Sequence, residues 1–185
     1  MARSRWIDTL ASPGPRTRYV DGVPSREPLV VEFHEQRRSE IVERMAAMAA
    51  AGIGWINFSP GLDVDVPPPS RSAFASLVGG RGPDVPLATW APARGRDPAT
   101  VGIQHGQGPR ALDLLAERHV PLPDGWRKLQ DHAKRGLVVA TAPTGPVDRA
   151  GVDPLDAVLD WLLRATAALC PVPRTGEWRA YCYGV

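Results

Sequence analysis

The sequence predicts a two-layer α+β fold: one mostly antiparallel or mixed sheet with helices on one face. Three observations carry this. Segments rich in β-branched and aromatic residues alternate with segments of helical period, in the order strand, helix, strand, helix, two strands, helix, two strands, helix, strand. Two strand–strand–helix units follow one another in the middle, and the links inside each strand pair are short enough for hairpins. The opening strand, helix and strand occupy so few residues that they imply a βαβ or split βαβ unit.

Each element has its own signal. Residues 1–27 combine Arg3, Arg5, Arg16, Arg18 and Arg26 with Pro13, Pro15 and Pro24 and show no apolar period, so they read as a flexible N-terminal arm ahead of a single domain over 28–185. Within the arm, Trp6, Ile7 and Leu10 fall on one side of a short helical turn and could anchor to the body or to a partner. Residues 29–33, Leu-Val-Val-Glu-Phe, read as a strand. A helix over 35–51 follows from Ile41, Met45 and Met48 at helical spacing, with Gly52 as its stop. Residues 53–58 read as the next strand. Pro67, Pro68 and Pro69 close an extended loop, because three successive prolines donate no backbone hydrogen bonds, and a short helix over 71–78 follows, capped by Ser70.

Residues 86–91 and 100–104 form the first expected hairpin. Pro109 suits the first turn of a helix that buries Leu112, Leu115 and Ala116. Residues 126–130 and 136–141 form the second hairpin. The final helix has the clearest signature: Asp153 caps, Pro154 starts, and Leu155, Val158, Leu159, Leu162, Leu163, Thr166 and Leu169 keep helical spacing until Cys170 and Pro171. Residues 178–183 alternate, with Trp178, Ala180 and Cys182 on one face, and read as the last strand.

Composition narrows the function classes. In 185 residues with 43% apolar and 23% charged content, there is enough chain for a real core. The formal net charge of +2 gives no case for nucleic-acid or membrane-surface binding by charge. No apolar run is long enough for a bilayer span or a signal peptide, so the reading is a cytoplasmic protein. Twenty arginines stand against Lys128 and Lys134, a bias that codon composition explains and from which no function follows.

The segment Gln104-His105-Gly106-Gln107-Gly108-Pro109-Arg110 lies at an expected strand-to-helix junction. Exposed N–H groups at a helix start attract anions, glycines let a ligand approach the backbone, and Arg110 adds a charge; Gln104, Gly106, Gly108 and Arg110 are therefore the candidate ligand-binding residues. The same glycines also satisfy a tight turn that binds nothing. The spacing matches neither the P-loop nor the dinucleotide fingerprint.

His34, His105 and His132 fall at expected C-terminal ends of strands, where side chains of different strands share a rim. His105 and His132 with Asp131 are the candidate acid–base residues. No spacing points to a metal or a cofactor. His119 reads as a charge at a helix C-terminus. Asp63 and Asp65 form a lone Asp-x-Asp in a Pro-rich loop, better explained as solvated acids. Cys170 and Cys182 read as small apolar residues. Trp55, Trp90, Trp126 and Trp178 fall in strand segments and are expected in the core. Trp161 lies off the apolar centre of the last helix and, with Trp6, is the candidate partner contact.

Two functions fit. The first is a noncatalytic module that binds a small anionic ligand or a protein partner. The second is a small enzyme acting on a phosphate- or carboxylate-bearing substrate, with His105 and His132 as acid and base beside the glycine turn.

Overall fold

A computed structural model describes residues 4–5, 27–63, 82–142 and 153–184. The strands are β1 (Ser4–Arg5), β2 (Leu29–His34), β3 (Trp55–Asp63), β4 (Leu87–Ala91), β5 (Thr100–Gln104), β6 (Arg127–His132), β7 (Gly136–Ala140) and β8 (Arg174–Tyr183). The helices are α1 (Ser39–Ala51), α2 (Ala111–Glu117) and α3 (Pro154–Leu169). The expected helix over 71–78, the Trp6 anchor and Asp65 lie outside the described residues.

The strands form one sheet in the order β2-β8-β3-β4-β5-β7-β6, with β1 paired to the far end of β3. Every pairing is antiparallel. Because β2 and β3 both run antiparallel to β8, they are parallel to each other with the last strand inserted between them. This is the split βαβ unit, with α1 as its connection. The hairpins β4–β5 and β6–β7 join through β5 and β7.

Strand period sorts the side chains. Val31, Ala180, Phe58, Ala88, Ile103 and Leu137 lie in one cross-strand row, and all are buried with α1, α2 and α3 in a single cluster. The next row, Val30, Tyr181, Asn57, Thr89, Gly102, Val138 and Gln130, points to the opposite face. The helices therefore cover one face, and α+β with two layers is the architecture.

Several elements differ in extent from the sequence reading. α1 starts at Ser39 rather than near residue 35, because a turn over 34–37, with the Arg37 N–H on the His34 carbonyl at 2.8 Å, ends β2 first. β3 continues through Pro60 to Asp63. Pro60 is tolerated because the β4 ladder reaches only Phe58, so its missing N–H costs no ladder bond on that side, and a bulge follows it. β8 begins at Arg174, four residues before the alternation that marks it in sequence. α3 follows its caps: the Asp153 side chain accepts the Leu155 N–H at 2.8 Å, and Pro154 opens the helix.

Candidate functional site

The three strand-end histidines share one local device. In each, Nδ1 accepts the backbone N–H two residues on: Gln36 at 3.2 Å for His34, Gln107 at 3.4 Å for His105 and Lys134 at 3.1 Å for His132. The rings thereby finish the turns that leave their strands. All three strands end on the same rim of the sheet, but β2 and β5 are separated by three strands. At about 4.8 Å per strand, His34 stands about 19 Å from His105, and His132 about 10 Å.

His105 is fully buried, while His132 is exposed. Burial lowers the His105 pKa below its ordinary value, against an opposing pull from the Asp131 charge. Its Nε2 has no hydrogen-bond partner among the described residues. Gly82 lies against the His105 backbone so closely that a Cβ there would run into the His105 carbonyl. A substrate in contact with both rings would have to cross this packing.

Asp131 has another task. Its Oδ1 accepts the Ala111 N–H at 3.0 Å and its Oδ2 the Leu112 N–H at 3.2 Å. The N–H groups that the sequence offers to an external anion are thus held by a carboxylate of β6. Arg110 is exposed and pairs with Asp113 at 2.6 Å. Gly108 takes φ of 87°, Gly106 has no such angle, and Gln107 Nε2 donates to the Leu169 carbonyl at 3.1 Å. Gln104 ends β5, half-buried and opposite Leu87. The glycine segment does the work of a turn here.

Other residues are also placed. Trp161 is a core residue rather than a surface contact: its Nε1 donates to the Pro121 carbonyl at 2.9 Å and its ring meets Trp126 edge-on at 5.1 Å. Trp90 and Trp178 are in the core as expected. Trp55 is not: it is exposed and stacks on Tyr183 with centroids 4.9 Å apart. Burial pushes the thiols of Cys170 and Cys182 up, the opposite of nucleophile activation. His119 supplies a left-handed backbone, φ 60°, just past the end of α2. Among the described residues no group of three or more His, Cys, Asp or Glu could hold a metal, and no helix is long and apolar enough to cross a membrane.

A groove the sequence did not single out lies where the ends of α2 and α3 meet the start of α1 and β8. It measures about 520 Å³ and is lined by Arg38, Arg118, Arg164 and Arg174, with Glu35 and Asp160 as its carboxylates. The arginines come from four separate stretches, so no local motif announces them. Arg38 bonds Asp156 through Nε at 2.6 Å and Nη2 at 2.9 Å, and Asp160 through Nη1 at 2.9 Å. The hydrogen bond from Arg38 holds the Asp156 carboxyl below the usual carboxylate range. Arg118 donates to the Ala168 carbonyl in the last turn of α3, and Arg164 to the carbonyl of His119 just past α2. Arg174 lies over the Trp178 ring at 5.8 Å and reaches Glu35 only at 3.9 Å. Its buried Nη1 has no hydrogen-bond partner among the described residues.

The class defined by these features is a two-layer antiparallel α+β domain with an arginine-lined groove at its helix ends. No protein-family description matches this chain, and no curated protein or solved structure shows significant similarity to it.

Proposed function

We propose that this protein is a noncatalytic binding module that takes a small phosphate- or carboxylate-bearing ligand in the arginine groove. The observation that carries this reading is Arg174, whose buried Nη1 donor has no hydrogen-bond partner among the described residues and stands beside three further arginines. A buried donor without a partner costs about 1–3 kcal/mol, and an anionic oxygen in the groove recovers that cost. Glu35, the weakly engaged carboxylate at 3.9 Å, is the group such a ligand displaces.

The enzyme reading has less support. His105 is sealed, Asp131 is engaged in capping α2, and His132 stands two strands away from His105. The test is a thermal-shift titration with inorganic phosphate, pyrophosphate and citrate. A saturable rise in melting temperature is expected with at least one of them, since a ligand that binds only the folded state stabilises it by mass action. Arg174→Gln is expected to abolish the rise. Melting curves that ignore all three anions, or a shift that survives Arg174→Gln, would remove the groove as the site.

A further inference from the structure

We infer that the edge of β2 that no described strand covers pairs with β2 of a second copy of this chain, in one register, to give a two-fold dimer with a continuous sheet. Among the described residues β2 is the end strand of the sheet, with β8 as its one strand partner. The Glu35 N–H bonds the Gly176 carbonyl at 3.1 Å, and this pair continues the β2–β8 register, in which Leu29 faces Cys182 and Phe33 faces Trp178. Bonded pairs alternate along an antiparallel ladder, so Leu29, Val31 and Phe33 bond to β8, whereas Val30, Glu32 and His34 turn their backbone groups outward. The His34 carbonyl confirms this parity: it points away from β8 and accepts the Arg37 N–H at 2.8 Å.

Both ends of that edge are closed. Pro28 has no N–H to give, and the His34 carbonyl is taken. Val30 and Glu32 are left, each with an outward donor and acceptor that no described residue engages. The Glu32 carboxylate turns inward to Arg179, with Arg179 Nη2 donating to Glu32 Oε1 at 2.6 Å, and leaves the backbone as the outer feature.

One antiparallel register suits this pattern. Setting Val31 opposite the partner's Val31 places Val30 against the partner's Glu32, and by symmetry Glu32 against the partner's Val30. These two pairs exchange four backbone hydrogen bonds. Leu29, which is 41% exposed, then faces the partner's Phe33, an apolar pair that appears twice. His34 falls opposite the partner's Pro28, so pairing stops where both chains have run out of groups. A shift of the register in one direction sets Glu32 on the partner's Glu32, with two like charges face to face. The opposite shift sets Glu32 on Pro28, which cannot donate. Charge and donor complementarity therefore choose the same alignment, and the occupant that fits an edge carrying this pattern is the same edge, as an isologous interface requires.

The test uses the full chain. Sedimentation is expected to give the mass of a dimer. In the proposed register the two Val31 residues form a non-bonded pair with Cα atoms about 4.5 Å apart, within disulfide range. Val31→Cys should therefore cross-link into a covalent dimer under mild oxidation, whereas wild type and Val30→Cys should not. Val30→Pro should give a monomer, because it deletes an outward N–H that nothing within the subunit uses. Should Val30→Pro fail to fold, the contrast between Val31→Cys and Val30→Cys still decides. A monomeric wild type at the highest attainable concentration would overturn the inference. So would a dimer unchanged by Val30→Pro in folded protein, or equal cross-linking at positions 30 and 31.

Discussion

Asp131 caps a helix that begins twenty residues before it, its Oδ1 taking the Ala111 N–H at 3.0 Å. The residue ahead of that helix, Arg110, has φ of 68° and sends its side chain to Asp113, so no local side chain caps α2. A strand of the second hairpin thus fixes the start of the helix that leaves the first. Asp131→Ala should cost about 1–2 kcal/mol, the usual loss of an N-terminal cap, and Asp131→Asn less, because one oxygen remains. Urea unfolding of the two variants measures this. Equal midpoints for wild type and Asp131→Ala would show that the cap contributes nothing.

His105 makes stability depend on pH. Its folded pKa lies below the ordinary value of about 6.5, because burial penalises the charged ring. As pH falls through about 6.5 the unfolded chain takes a proton that the folded chain refuses, so stability is full above that value and declines below it until the folded pKa is reached. His105→Leu should flatten this part of the profile. It also removes a buried donor that has no partner among the described residues, so its loss at neutral pH should be smaller than that of a typical core substitution. Urea midpoints collected from about pH 5 to about pH 7.5 give the slope. An identical slope in His105→Leu would assign the effect to another group.

Legibility in the sequence followed the range of the forces involved. α3 was readable because its caps and apolar stripe lie within its own residues, and the hairpins because their turns are short. The helical pattern alone sets Trp161 at the surface because what covers it, the Pro121 carbonyl and the Trp126 ring, arrives from a distant loop. The sequence pattern ends this strand at Phe58, and only the sheet order shows that it can run on through Pro60, because the β4 ladder has ended there. The rim position of the three histidines could be read from strand ends, but their separation depends on strand order, which no local pattern encodes. The arginine groove was invisible for the same reason, since four segments supply it.

The core of α3 sets the largest single-site losses. Leu159 and Leu162 are both fully buried in the cluster that joins all three helices to the sheet. Leu159→Ala or Leu162→Ala should cost about 2–5 kcal/mol, combining lost transfer energy with the cavity left behind. Denaturant unfolding at equilibrium measures both. A loss below about 0.5 kcal/mol at each would contradict the packing of this helix.

Gly108 and Gly136 separate backbone strain from collision. Both have positive φ, 87° and 76°, so an L-residue is strained at either position. At Gly108 no described residue lies within 4 Å of an added Cβ, whereas at Gly136 the Cβ would run into the Ile103 carbonyl of the neighbouring strand. Gly108→Ala should therefore cost only the left-handed penalty, about 1–2 kcal/mol. Gly136→Ala should cost clearly more, about 3 kcal/mol or above, because β5 and β7 must also move apart where Leu137 pairs with Ile103. Melting temperatures rank the two variants, and hydrogen exchange shows where the damage falls: amides of β5 and β7 should lose protection in Gly136→Ala and keep it in Gly108→Ala. Equal losses at the two glycines would mean that strain alone sets the cost and that the close approach of β5 to Gly136 carries none of it.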